Sequence, residues 1–373
     1  MKINVLKFEE HFQNRPSLIF LLALAINTIA YLLSHNYIDG DTHSRTIMAL
    51  NWLKSPFFIY GPNDVTWVFA PLHCYLNAAI ISIWHEPTVS PRILSLVLTS
   101  LTIFPLYHSV RFEFGVRAAF YSALACCFCT LFIHPAAIAA SEGINLFLVF
   151  CSIYFFLLYR HSASWRNLFL SAILGMVATM MRYDSGPLIS MMTILLVIYA
   201  FKDSANQHGT SRTNAVIKAI TFGLISHSFA LMWVIAQWVN LGHPFHMTVD
   251  SLDVNVIKHH LANRGWFGLI LYQTAFLPGV MLLSIPFPAF LASAVGLFQT
   301  LKKRHFPLLF WLLNAMVIYY LVTFVLTLAR YPLARFVTLP TVLFLCFSGI
   351  GVSFLVDRLS ERTRNSSSQS RLG

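Results

Sequence analysis

The chain has 373 residues, of which 57% are hydrophobic and 10% are charged. Soluble globular domains carry about 25% charged residues, so this composition excludes a soluble enzyme and predicts an integral membrane protein. The formal net charge is +11.

Apolar runs follow one another along almost the whole chain. A membrane-spanning helix needs about 20 mostly apolar residues to cross a hydrocarbon core of about 30 Å. The runs lie at 17–36, 92–110, 118–133, 143–159, 167–181, 185–201, 215–238, 267–297, 307–328 and 336–356. The sequence therefore predicts an all-α polytopic bundle of about ten transmembrane helices, forming one integral membrane domain over 1–373. A basic, disordered tail is expected at 358–373.

The positive charges predict the orientation of this bundle. If the N-terminus is cytoplasmic and 67–84 does not span, 17 of the 25 basic residues lie inside, and the outer segments are neutral overall. This is the positive-inside pattern of membrane proteins rather than a patch for nucleic acid. Both termini are then cytoplasmic, and a long first outer loop covers 37–91.

A second topology stays open. If 67–84 spans and the N-terminus is outside, the basic residues divide 16 to 9, almost as well. Pro71, His73 and Asn77 interrupt the first half of this segment, which favours a helix lying on the outer surface of the membrane.

The stretch YIDGDTHSR at 37–45 places two acids directly after the first run. Asp39 and Asp41 flank Gly40. Asp41 could cap a helix running from Thr42 to about Leu53. A carboxylate here could also act as a general base toward an acceptor hydroxyl, or help to hold a divalent cation.

Other charged residues lie at the predicted outer ends of later runs. Glu142, in ASEG, suits the first turn of a helix or could be a second site carboxylate. Arg182 and Asp184, in MRYDSG, could pair with each other. Arg330 and Arg335 bracket the turn in LARYPLARF, where a guanidinium could bind phosphate in a bidentate manner or extend to lipid headgroups.

Four histidines crowd the predicted loop 240–266: His243, His246, His259 and His260. The spacings HPFH and HH do not match a recognised set of zinc ligands. No zinc site is predicted there.

The order of these motifs resembles that of the GT-C superfamily of membrane glycosyltransferases. Its bacterial members akin to protein O-mannosyltransferases and aminoarabinose transferases are the most similar. The motifs, in chain order, are DGDTHSR at 39–45, Trp67 with Pro71 and Leu72 in a W-x3-P-L pattern, PRILSLVL at 91–98, Glu142, MRYDSG at 181–186, and Arg330 with Tyr331.

The resemblance implies roles for individual residues. Asp41 or Asp39 would be the base that activates the acceptor, and Glu142 the second acid. The donor phosphate would be bound by Arg182, Arg330 and Arg335. Candidates for acceptor and loop contacts are His43, Arg45, Trp67, His73 and Tyr331.

The resemblance also implies a substrate class. The donor would be a polyprenyl-phosphate sugar and the acceptor a glycan, lipid or protein, with membrane lipids around the protein and no nucleic acid partner. The active site would face outward from a bacterial inner membrane. No cofactor is firmly predicted, and a divalent metal is left open.

Two other functions compete with this one. A transporter or flippase of lipid-linked substrates would place its polar groups near the middle of the bilayer, often in repeated halves. The charged groups here cluster toward one face instead. In a scaffold subunit without catalysis, the same charges would be only helix caps and headgroup anchors.

Overall fold

The computed structural model describes residues 14–34, 36–37, 40–54, 69–203, 212–242, 251–304, 306–326 and 332–369. Across these ranges, every regular element is a helix. The first half of the chain forms α1 (Pro16–Leu33), α2 (Gly40–Lys54), α3 (Leu72–Trp84), α4 (Ser90–Leu101), α5 (Ile103–Phe114), α6 (Val116–Cys127), α7 (Thr130–Ala137), α8 (Ser141–Ser162) and α9 (Trp165–Met181).

A 3₁₀ turn at Tyr183–Ser185 leads into the second half. It contains α10 (Gly186–Asp203), α11 (Arg212–Leu241), α12 (Ser251–Ser284), α13 (Phe287–Lys302), α14 (Leu308–Tyr320), a π-helical segment (Leu321–Leu326), a 3₁₀ helix (Ala334–Val337), α15 (Thr338–Leu345) and α16 (Ser348–Gln369).

The predicted all-helical membrane bundle is confirmed. Within the described part of the chain, eight helical segments are long and apolar enough to span a membrane, or nine if the bent pair α6–α7 forms one span. Seven of the ten predicted runs coincide with one such segment each, and α9 is a shorter apolar helix at the position of another. Side chains such as Leu33, Phe267 and Leu283 are more than 80% exposed, which suits lipid-facing positions.

The two remaining runs are broken helices. The run 118–133 bends by 55° between α6 and α7. The run 267–297 is interrupted between Ser284 and Phe287, where Pro286 has extended backbone and lacks the N–H that a continuous helix would need.

Two further segments bear on the predicted topology. Helix α3 has 13 residues, about 20 Å of helix, which is short for a hydrocarbon core of about 30 Å. Its placement as a juxtamembrane helix stays a prediction. The last helix continues to Gln369, so most of the segment 358–373, expected to be disordered, is helical.

Small residues let the helices at the centre of the bundle approach closely. A Cβ at Gly296 would overlap the carbonyl oxygen of Phe347, and one at Gly351 would overlap that of Ala292. Helices α13 and α16 are therefore in backbone contact. Such contacts through small residues are a common way to hold membrane helices together.

The segment α4–α5 connects two polar ends of the bundle. At its start, the guanidinium of Arg92 donates hydrogen bonds to the backbone carbonyls of Ser34 (3.3 Å) and Tyr37, just after α1. At its other end, the carboxylate of Glu113 accepts hydrogen bonds from the backbone N–H groups of Leu308 (2.6 Å) and Leu309 (3.1 Å). Glu113 thus caps α14, and Arg92 fixes the backbone from which α2 begins.

Candidate functional site

A cavity of about 120 Å³ lies at the end of the bundle that carries Arg92. Its charged lining residues are Asp41 and Arg45 from α2, Glu142 from α8, and Arg335 from the 3₁₀ helix before α15. We call it the acid–arginine cavity. Its other walls are formed by Thr42, Leu131, His134, Pro135, Ile138, Ala140, Ala334 and Thr338.

Helix α2 brings the first two charges to this cavity. It begins at Gly40, two residues earlier than predicted, so Asp41 lies inside the first turn rather than at the N-cap position. An acid in the first turn is stabilised by the helix dipole. Asp41 and Arg45 are four residues apart, which places both side chains on one face of the helix.

Asp41 forms an ion pair with Arg335 across the cavity. The Asp41 side chain is 30% exposed and that of Arg335 is 35% exposed, so both side chains are partly exposed, although the paired oxygen Oδ2 of Asp41 is itself buried. The contact joins α2 to the 3₁₀ helix Ala334–Val337, two elements that are almost 300 residues apart in the sequence.

Glu142 is bound by a different arginine. Arg182 lies in extended backbone just after α9 and pairs with Glu142 on one side. On the other side, its Nη2 donates to Asp184 Oδ2 at 2.8 Å, and its Nε lies 3.1 Å from both oxygens of that carboxylate. All three side chains are at most 8% exposed. Although burial opposes the charge, the carboxylates of Asp184 and Glu142 hold the pKa of Arg182 above its usual value.

The hydroxyl of Ser141 connects the two parts of the site. Its Oγ accepts a hydrogen bond from Arg45 Nη1 at 2.5 Å and another from Arg182 Nη1 at 3.2 Å. Ser141 is fully buried. The side chain of Arg45 on α2 is thereby fixed to the start of α8, beside Glu142.

A tight turn delivers Ser141 to this position. Ala139 has φ of +59°, a conformation that residues with a side chain rarely adopt, and it reverses the chain between α7 and α8. The hydroxyl of Ser95 donates to the carbonyl oxygen of Pro135 at 3.1 Å and lies 3.5 Å from that of Ala140. Polar contacts from α4 therefore hold both ends of the turn.

The segment that enters α3 covers Arg45. The Arg45 guanidinium lies over the ring of Phe69, 4.7 Å from its centroid. The Tyr183 hydroxyl donates to the backbone carbonyl of Phe69 at 3.1 Å. Behind this segment, His73 on α3 is fully buried, and burial together with the nearby Arg45 charge lowers the pKa of His73 well below its usual value.

The structure brings some of the predicted site residues together, places others away from the cavity and does not describe the rest. Asp41, Arg45, Glu142 and Arg335 line one cavity, and Arg182 lies directly behind Glu142. His43 is exposed on the face of α2 turned away from Arg45's contacts, and His73 is buried behind Phe69. The predictions for Asp39, Trp67, Arg330 and Tyr331 lie outside the described residues.

Several lining residues of the cavity, including Thr338, are not among the candidates from the sequence, and neither is the site residue Ser141. Ser141 directly precedes Glu142 in ASEG, and this adjacency was the signal that could have suggested it. Thr338 lines the cavity from α15 but lies in an apolar context that gives no such signal. The functional roles of all these residues stay predictions.

The carboxylates of the cavity do not form a metal site with the groups around them. Asp41 and Glu142 are each paired with an arginine. No group of three or more His, Cys, Asp or Glu side chains that could hold a metal ion occurs within the described ranges.

Residues 68–233, somewhat less than half of the chain, match a sequence model of the family described as dolichyl-phosphate-mannose-protein mannosyltransferase. A search of curated proteins finds no match. Among solved structures, ArnT from Cupriavidus metallidurans bound to undecaprenyl phosphate is similar with a TM-score of 0.61 and 13% identity, over 89% of this chain and 60% of that one. The chain has the fold of the GT-C membrane glycosyltransferases.

A second GT-C structure supports the same fold. The Archaeoglobus fulgidus oligosaccharyltransferase in its apo form has a TM-score of 0.57 at 14% identity, over 95% of this chain and 52% of that one. The same archaeal enzyme, AglB, solved with an inhibitory peptide and a dolichol-phosphate, gives a TM-score of 0.56 at 14% identity, over 95% and 52% of the two chains. The present chain thus spans about half to three fifths of the GT-C proteins it matches. The resemblance seen in the sequence is confirmed.

Proposed function

We propose that this protein is a membrane glycosyltransferase that moves a hexosyl or pentosyl group from a polyprenyl-phosphate carrier to an acceptor hydroxyl. The reaction takes place in the acid–arginine cavity, on the side of the membrane predicted to be outside. The acceptor is a glycan, a lipid or a protein.

The observation that carries this proposal is the convergence of Asp41, Arg45, Glu142 and Arg335 on one cavity at one end of a GT-C fold. The transfer requires a base for the acceptor and cations for the departing phosphate, and both kinds of group are present. Structures with this fold have been solved with undecaprenyl phosphate and with a dolichol-phosphate, which supports a lipid phosphate as the donor's carrier.

In this mechanism, Asp41 accepts the proton of the acceptor hydroxyl while the hydroxyl oxygen attacks the anomeric carbon of the sugar. The bond between that carbon and the phosphate oxygen breaks, and the lipid phosphate leaves as an anion. Arg335 binds the phosphate and stabilises the charge that develops on it. The lipid tail stays among the membrane helices.

Glu142 and Arg182 have a positioning role in this scheme. Arg182 contacts Glu142, Asp184 and Ser141 at once, so its guanidinium holds the Glu142 carboxylate in place. We assign the phosphate contact to Arg335 ahead of Arg182, because the hydrogen-bonding positions of Arg182 are already directed at carboxylates.

The Asp41→Asn variant tests the proposal. The amide keeps the shape of the side chain but cannot accept a proton, and loss of a general base typically costs about 10²- to 10⁴-fold in rate. We expect sugar transfer from a polyprenyl-phosphate donor, measured in proteoliposomes, to fall at least 100-fold. The elution volume in size-exclusion chromatography should match that of the unmodified protein.

The Asp39→Asn variant is the companion measurement. Full activity of both variants would overturn the assignment of the base. Movement of the lipid-linked sugar across the vesicle membrane without cleavage of its phosphate bond would show that the protein is a flippase instead.

A further inference from the structure

The ion pair between Asp41 and Arg335 joins the residue proposed as base to the residue proposed to bind phosphate. The two side chains come from opposite walls of the acid–arginine cavity. In this arrangement Asp41 is bound to the guanidinium that is proposed to contact the donor phosphate. Arg335 is in turn bound to the carboxylate that is proposed to accept the proton of the acceptor hydroxyl.

The cavity is also small for a substrate site. Its volume is about 120 Å³, whereas sites for small molecules usually enclose about 300–1,000 Å³. The Asp41–Arg335 contact bridges α2 and the 3₁₀ helix Ala334–Val337 at this point. Separation of the two side chains would therefore both free their charges and widen the cavity.

The two arginines that bind carboxylates at the site, Arg182 and Arg335, differ in how readily they can exchange partners. Arg182 is 8% exposed and contacts two carboxylates, so its release would leave buried charges without compensation. Arg335 is 35% exposed and pairs with Asp41, which is itself 30% exposed. Ion pairs between partly exposed side chains contribute little stability, so the donor phosphodiester, whose two free oxygens can bind a guanidinium in a bidentate manner, can displace the carboxylate.

We propose that the Asp41–Arg335 ion pair is an autoinhibitory contact, in which the donor phosphate takes Arg335 and thereby releases Asp41 to act as base. This inference rests on the proposed function of the cavity. It imposes an order on the reaction: the lipid-linked donor binds first, and the acceptor hydroxyl meets a free carboxylate only when the leaving group is already bound by Arg335. Without a bound donor, the Asp41 carboxylate stays paired with Arg335 and does not accept the proton of the acceptor.

A binding measurement with a sugar-free lipid phosphate tests the competition. The probe is undecaprenyl phosphate, titrated into the purified full chain in nanodiscs. Because Asp41→Asn removes the carboxylate that competes for Arg335, we expect it to bind the probe about three- to tenfold more tightly than the unmodified protein. Arg335→Gln should bind it more weakly than the unmodified protein.

A double-mutant cycle separates competition for Arg335 from simple removal of a negative charge. If Asp41 acts through Arg335, the gain from Asp41→Asn should largely disappear in an Arg335→Gln background. Asp357→Asn is the matched control: it makes the same change in charge and breaks another solvent-exposed arginine–aspartate pair, with Arg117, outside the cavity. It should leave the affinity unchanged.

The release of Asp41 can also be measured in the unmodified protein. A water-soluble carbodiimide couples an amine to accessible carboxylates, and mass spectrometry of peptides reports the extent at each one. Saturation with undecaprenyl phosphate should raise the modification of Asp41 at least twofold. The modification of Asp357, whose side chain is 68% exposed, should stay constant.

Each outcome has a distinct meaning. Binding by the unmodified protein that Asp41→Asn leaves unchanged would overturn the autoinhibitory contact alone, as would an equal gain in the Arg335→Gln background or no rise in Asp41 modification. Absence of probe binding in every protein would overturn the lipid-phosphate donor and this inference together. A tighter Asp41→Asn complex that depends on Arg335 would support both.

Discussion

Buried charge behind the acid–arginine cavity is balanced by direct contact. Arg182 lies between the carboxylates of Glu142 and Asp184, and the Ser141 hydroxyl accepts a hydrogen bond from it as well. Loss of one partner of a buried ion pair costs about 3–5 kcal/mol, because the other charge stays behind without compensation. This network is therefore rigid compared with the exposed pair between Asp41 and Arg335.

His73 gives this region a dependence on pH. Burial and the charges of Arg45 and Arg182 lower its pKa, so the folded protein holds it neutral, while the unfolded chain binds a proton below about pH 6.5. A lowered histidine pKa contributes stability that is full above the unfolded value and is lost as the pH falls through it. We expect thermal stability in detergent to fall between pH 7 and pH 5, and to fall less in His73→Gln.

The linkage between proton binding and folding limits how much His73 can change the free energy of unfolding. One buried neutral histidine contributes at most about 1.4 kcal/mol per pH unit in this range. Buried carboxylates titrate in both proteins, so the difference between their pH curves isolates His73. The variant His43→Gln changes an exposed histidine and should leave the curve unchanged. Parallel curves for His73→Gln and the unmodified protein would contradict the prediction.

The sequence identifies the charged residues of the site, but it does not show which of them form ion pairs. Asp41, Glu142, Arg182 and Arg335 were singled out because ionisable groups are costly near a membrane. Their pairing was left open, since Arg182 had a neighbouring acid in Asp184, and no local pattern connects positions as distant as 41 and 335. Which charges meet is decided by how the helices pack.

Among the helices, the contact between α13 and α16 is the most sensitive to side-chain size. A Cβ at Gly351 would overlap the carbonyl oxygen and carbonyl carbon of Ala292, which cannot move without moving α13. We expect Gly351→Ala to destabilise the protein by about 1–3 kcal/mol, the usual cost of an overpacked contact. A lower temperature of unfolding in detergent would show this.

Gly279→Ala is the matched control, because a Cβ at Gly279 in α12 would meet nothing within 4 Å. It should be neutral or slightly stabilising, since alanine favours the helix more than glycine does. Equal unfolding temperatures for Gly351→Ala and the unmodified protein would mean that α13 and α16 do not pack at backbone distance.

The helices themselves are predictable from hydropathy, but only one of the two breaks has a marker in the sequence. Apolar composition predicts that 118–133 lies in the membrane, yet it carries no information on the 55° bend between α6 and α7. Pro286 could have indicated the interruption of 267–297. The bend in 118–133 lacks such a marker at Phe128 and Cys129, where the chain leaves helical geometry.

Across the whole molecule, the two ends of the bundle differ in their chemistry. One end carries the acid–arginine cavity, and the other carries Glu113 as the cap of α14, with Lys303 lining a separate cavity beside it. The 25-residue segment Ser90–Phe114 separates them, by about 37 Å of helix. The distribution of basic residues predicts that the cavity end faces outward.

Labelling of single cysteines tests this orientation. All six native cysteines are buried or partly buried, so the background should be low. His43 and Lys303 are exposed at opposite ends of the bundle. With a membrane-impermeant maleimide on intact bacterial cells, we expect His43→Cys to be labelled and Lys303→Cys to be protected. Inverted membrane vesicles should give the opposite pattern. If Lys303→Cys were labelled in cells and His43→Cys protected, the cavity would open to the cytoplasm. Protection of both positions in cells, with labelling of both in inverted vesicles, would instead favour the topology in which 67–84 spans, because 37–66 and 302–304 are then both cytoplasmic.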